Sequence, residues 1–108
     1  MKTQTRITNT NDMINKLRAD GHKVFVSHKR PIKGSKIDIF FSRQDMIVAG
    51  LNLNEDWDIR GGKTTVHIYD SEHTLLGYGE SVCSRHDVFN KNRGLTIALG
   101  RALSNAKL

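Results

Sequence analysis

The residues with the clearest chemical potential are basic. Lys29, Arg30, Lys33 and Lys36 crowd around Pro31 and Gly34, and Arg85, Lys91, Arg93, Arg101 and Lys107 lie in or beside the C-terminal segment. Ammonium and guanidinium groups at such density can hold phosphate oxygens, and binding through roughly six to ten of them would weaken steeply with salt. Asn90 and Asn92 are weak candidates for reading base edges, and no helix-turn-helix pair is evident. Contact with a nucleic acid would therefore be directed at backbone and shape. The alternative is a solvated turn with lysines lying along the surface. The net charge of +6 is unevenly spread. Residues 1–50 hold 10 basic and 4 acidic groups, residues 51–83 hold 2 and 6, and residues 84–108 hold 5 and 1. Basic ends around an acidic middle can present opposite faces of opposite sign, or can interleave once folded.

Other chemistries find less support. Cys83-Ser-Arg-His86 with Asp87 is the nearest grouping of metal-ligand types, but no second close pair accompanies it, and no metal is expected. Glu55, Asp56 and Asp58 alternate in a loop without a calcium-loop pattern. Arg60-Gly-Gly-Lys63 could approach a phosphate, yet neither a P-loop nor a nucleophile elbow is present. The expectation is a protein that is not an enzyme and needs no cofactor. One cysteine excludes an internal disulfide and fits a reducing compartment. The N-terminus lacks a secretion signal's apolar stretch and no run is long enough to span a membrane, so a cytoplasmic location is expected.

The 108 residues suit a single domain, 1–108. A short helix is predicted over Asn11–Asp20, capped by Thr10 or Asn11, striped by Met13, Ile14 and Leu17, and stopped at Gly21. Lys23–His28 and Lys36–Ser42 read as strands paired into a hairpin with a basic tip. Met46–Leu51 is either a strand or a helical turn. Trp57 is either a core plug or an exposed contact. Thr64–Tyr69 and Leu75–Cys83 form the strongest strand pair, with Val66, Ile68 and Leu76 as core candidates. Cys83 reads as a small buried hydrophobe ending its strand. The last helix is predicted to begin at Ser84 or Asp87 and run towards Ser104, with Phe89, Thr96, Leu99 and Leu103 on one stripe. Gly94, Ile97, Ala98 and Arg101 mark a narrow strip, suited to a sheet, a second subunit or a ligand backbone. These elements define an α+β class: a two-layer antiparallel sheet with N-terminal and C-terminal helices packed against it. An open sheet edge also makes a homodimer an expectation.

Cys83-Ser-Arg-His-Asp-Val-Phe-Asn-Lys-Asn-Arg-Gly-Leu-Thr-Ile-Ala-Leu-Gly-Arg-Ala-Leu103 resembles the C-terminal signature of a family of small bacteriophage proteins of unknown function. That resemblance supplies no activity. It implies a host-cell cytoplasmic setting, with either nucleic-acid transactions or interference with a host protein. Gly77-Tyr-Gly-Glu-Ser81 ahead of a basic terminal helix is similar to double-stranded-RNA-binding domains, whose order is α-β-β-β-α. The chain departs from them at Val82 and Cys83, where that family presents a lysine pair. Two functions are therefore expectations. One is nucleic-acid binding through the basic hairpin and terminal helix, with DNA and RNA left open. The other is binding and modulation of a host protein, through the acidic Glu55–Asp58 loop or a sheet edge.

Overall fold

A computed structural model describes residues 10–35 and 39–108. Helix α1 (Thr10–Ala19) turns Ile14 and Leu17 inwards, with Met13 partly buried beside them. Gly21, at φ 95°, ends it in a left-handed turn. There the amides of Gly21 and His22 bond back to the carbonyls of Arg18 and Leu17 at 3.1 and 3.0 Å. So short a helix is marginal alone and owes its stability to the apolar stripe it buries.

Among the described residues, strand β1 (Lys23–Lys29) is not paired along its length with 39–42, part of the segment predicted to be its hairpin partner. Its partner is β2 (Arg60–Tyr69), antiparallel, with Val26 opposite Val66 and Phe25 opposite His67. The alternating Thr64–Tyr69 run pairs along most of β1. A remnant of the expected turn survives: Arg30 and Phe41 exchange two backbone hydrogen bonds, at 2.9 and 2.7 Å. Lys36, Ile37 and Asp38 lie outside the described residues. Met46 belongs to a short helix, α2 (Arg43–Val48), whose start is fixed by a reciprocal pair between Ser42 and Asp45. Met46 itself is fully buried.

Strand β3 (Leu75–Val88) comes after β2 through a turn in which the Asp70 carboxylate accepts from the amides of Glu72 and Thr74 at 2.8 and 2.9 Å. The sheet order is β1-β2-β3. β3 extends past the expected end at Cys83, so Ser84–Val88 is strand where the start of a helix was predicted. Cys83 is half-buried within it. Helix α3 (Lys91–Ser104) starts only after Asn90, whose side chain caps the Arg93 amide at 3.0 Å. Phe89 therefore precedes the helix.

Both helices cover one face of the sheet. Val24, Val66 and Ile68 meet Ile14, Leu17, Ala98, Leu99 and Ala102. Each fully buried Val, Ile or Leu contributes about 1.5–3 kcal/mol. The close strip anticipated on the last helix is a helix–sheet contact: Gly94 sits on Thr64, and Ala98 and Ala102 lie on Gly79. The result is an α+β fold, a three-stranded antiparallel sheet flanked by an N-terminal and a C-terminal helix. Among the described residues no helix is long and apolar enough to cross a membrane.

Candidate nucleic-acid interface

The end of β1, the turn after it and the start of α3 meet around Phe89. Its ring packs on Gly62, where φ is 140° and a Cβ would stand 2.5 Å from Phe89 Cδ1. Only glycine admits both that backbone and that contact. Arg30 lies between two rings, its guanidinium carbon 5.0 Å from the centroids of both Trp57 and Phe89. Trp57 is thereby neither a deep plug nor a free contact; it is half-buried and donates through Nε1 to the Phe41 carbonyl at 3.2 Å.

His28 stands beside this stack, edge-on to Phe89 at 5.9 Å and 2.9 Å from Thr64 Oγ1. Burial, then the positive charges of Lys91 and Arg30, hold its pKa below the ordinary histidine value. Lys91 of α3 and Arg30 after β1, far apart in sequence, thus act on one ring. Arg85 joins the same region from β3, donating through Nη2 to the Ser35 carbonyl at 2.6 Å. Its side chain also packs along Gly61.

The remaining basic residues separate from this group. Lys29 belongs to the opposite, helix-free face of the sheet, since it pairs across from Lys63 and side chains alternate along a strand. Arg93 lines a cleft of about 270 Å³ between β3 and α3, together with Cys83, Ser84, Asp87 and Asn90. Arg101, about 15 Å further along α3 from Lys91, donates to the Glu80 carbonyl at 2.7 Å on the outer edge of β3. Lys33 is exposed at the turn. Its amide bonds to the Asp56 carbonyl at 2.8 Å, so the acidic loop runs directly beside the basic turn. The Asp56 and Asp58 carboxylates are engaged within that loop, accepting from the amides of Asn52 and Arg60 at 2.6 and 3.0 Å. Lys36 is outside the described residues.

Of the basic residues singled out from the sequence, Arg30 and Lys91 act on the same imidazole. Arg85 is bonded to the turn after β1 that also carries the exposed Lys33, and Lys29, Arg93 and Arg101 are placed elsewhere. His28 and Phe89 organise the region, although their types and spacing do not mark them as site residues. The visible hint is Phe89-Asn90, a large aromatic directly before a capping residue. Among the described residues no three His, Cys, Asp or Glu side chains gather as a metal-binding set. Comparison with protein-family models, curated proteins and solved structures finds no match to this chain.

Proposed function

We propose that this is a non-enzymatic, phage-type nucleic-acid-binding protein that grips the phosphate backbone with the turn after β1 and the N-terminal end of α3. The observation that carries this reading is the convergence of Arg30, from the turn after β1, and Lys91, from the start of α3, on the His28 ring beside Phe89, with Arg85 bonded to the same turn. A helix N-terminus adds its own unpaired amides and positive dipole end to such a cluster. The order α-β-β-β-α, interrupted by α2, also agrees with the similarity to double-stranded-RNA-binding domains. In this reading Lys91 of α3 supplies positive charge in place of the lysine pair absent at Val82 and Cys83.

The test is fluorescence anisotropy with labelled duplex DNA and duplex RNA over a range of salt. Each phosphate contact contributes about 0.9 to the slope of log affinity against log salt on duplex DNA. Lys33→Gln and Lys91→Gln should each weaken binding uniformly across sequences and reduce that slope by about one. A salt-independent interaction, or none, would overturn the proposal.

A second reading, binding to a host protein, draws on α2, where Ile47 and Val48 are exposed at 55% and 77%. The β3 edge offers less, because Asn105 accepts from the Tyr78 amide and donates to its carbonyl at 3.2 and 2.8 Å. Recovery of one stoichiometric host protein that Val48→Asp abolishes, with no nucleic-acid binding, would favour it.

A further inference from the structure

The sheet has a second face that neither α1 nor α3 covers. Alternation puts Lys23, Phe25 and Lys29 of β1, Lys63, His67 and Tyr69 of β2, and Tyr78, Glu80 and Val82 of β3 on that side. Phe25, His67 and Tyr78 are in register and form one row of rings across all three strands. His67 lies 4.7 Å from Tyr78, and Tyr69 lies 5.6 Å from Phe25 and 6.2 Å from His67 by ring centroids. Phe25 and Tyr78 remain 55% and 37% exposed.

Charge decides what could lie on these rings. Lys23 flanks the row at one end of the sheet, and Lys29 and Lys63 sit opposite one another towards the other end. Asp45 of α2 feels the charge of Lys29, and Glu80, the carboxylate on the face itself, is already engaged. Lys63 approaches it at 3.3 Å and the Tyr78 hydroxyl donates to it at 2.9 Å. A second copy of the same face would set ammonium groups against ammonium groups. A chain of planar bases joined by phosphates is complementary on both counts, offering π-faces to the rings and negative charge to the lysines.

We infer that this open face is a stacking platform for single-stranded nucleic acid, with bases on Phe25, Tyr78 and the His67–Tyr69 pair and phosphates near Lys23, Lys29 and Lys63. A duplex, whose bases are hidden in their own stack, cannot use it. The inference goes beyond the phosphate-binding end around Phe89, uses a different surface, and reassigns Lys29 to it.

The experiment titrates the full chain with labelled oligouridine of about 15 nucleotides, and separately with an RNA duplex. Phe25→Ala and Tyr78→Ala should each lower oligouridine affinity by about tenfold, whereas Tyr78→Phe should retain it and duplex affinity should not change. Both rings are exposed, and urea midpoints close to that of the unaltered protein confirm that the variants fold. In the unaltered protein, oligouridine should shift the ring resonances of Phe25, Tyr69 and Tyr78 in NMR spectra. Undiminished oligouridine binding without the rings overturns the platform. So does duplex binding with no oligouridine binding, a result that leaves the phosphate-binding reading standing. A dimer dissolved by Phe25→Ala would overturn the platform in favour of self-association.

Discussion

The backbone of Gly79 in β3 lies directly beneath the carbonyl of Ala98 in α3, with the Ala102 amide nitrogen 2.5 Å from where a Cβ would stand. Helix and sheet meet here with no side chain between them on the strand side. A methyl group at this position would collide with helix backbone, which cannot swing aside as a flexible side chain can.

Gly79→Ala is therefore expected to destabilise the fold by about 3 kcal/mol, the upper end of ordinary overpacking costs. Gly100→Ala, on the outer side of the same helix with nothing within 4 Å of the new methyl, should instead stabilise by up to about 1 kcal/mol. Urea denaturation of the two variants measures both. A Gly79→Ala variant as stable as the unaltered protein would show that α3 and β3 do not meet backbone to backbone at Gly79.

Arg30 and Lys33 are near neighbours in sequence with different employment. The Arg30 guanidinium is held between Trp57 and Phe89, so Arg30→Gln should cost about 2 kcal/mol of stability. Arg30→Lys should recover little of it, because an ammonium lacks the planar stacking surface. Trp57 fluorescence should report both changes. Lys33→Gln should leave the urea midpoint unchanged and, on the proposed function, act on nucleic-acid affinity alone.

His28 gives the protein a defined pH response. Its pKa is held below the ordinary value of about 6.5 by burial, Lys91 and Arg30. The unfolded chain consequently takes up this proton at a higher pH than the folded protein does. The resulting stability is present above about pH 6.5 and is lost as pH falls through the folded pKa. Asp45, Asp70 and Glu80 also have lowered pKa values, but their contributions are lost only below the usual carboxylate range of about 4. Between about pH 7.5 and pH 5.5 the urea midpoint should fall, and His28→Gln should flatten that fall. Phosphate bound beside Lys91 should raise the His28 pKa, which NMR titration with and without duplex would register.

Short-range pattern makes the secondary elements readable where it is regular. The alternation of Val66 and Ile68 against Thr65, His67 and Tyr69 defines β2, and Ile14 with Leu17 defines the buried side of α1. Regularity misleads at two places. Ile39 and Phe41 look like part of a strand, yet among the described residues that segment meets the end of β1 only at the Arg30–Phe41 bridge. β1 pairs along its length with β2 through a long-range register that no local period encodes. The stretch after Cys83 carries residues at helical spacing, yet β3 continues to Val88 because Arg60 still pairs there and the Asn90 cap starts the helix only beyond it.

The candidate sites divide in the same way. Composition and local pattern are enough to establish a chain rich in basic groups at both ends and a sheet with helices against it. Which cations share a surface is a property of the fold. Lys29 ends β1 on the helix-free face and Arg30 turns away beyond it to lie against Trp57 and Phe89, while Arg30 and Lys91, distant in the chain, come to act on the same imidazole. The open row of Phe25, His67 and Tyr78 has the same origin. Each ring is an ordinary strand residue alone, and strand register aligns the three into one surface.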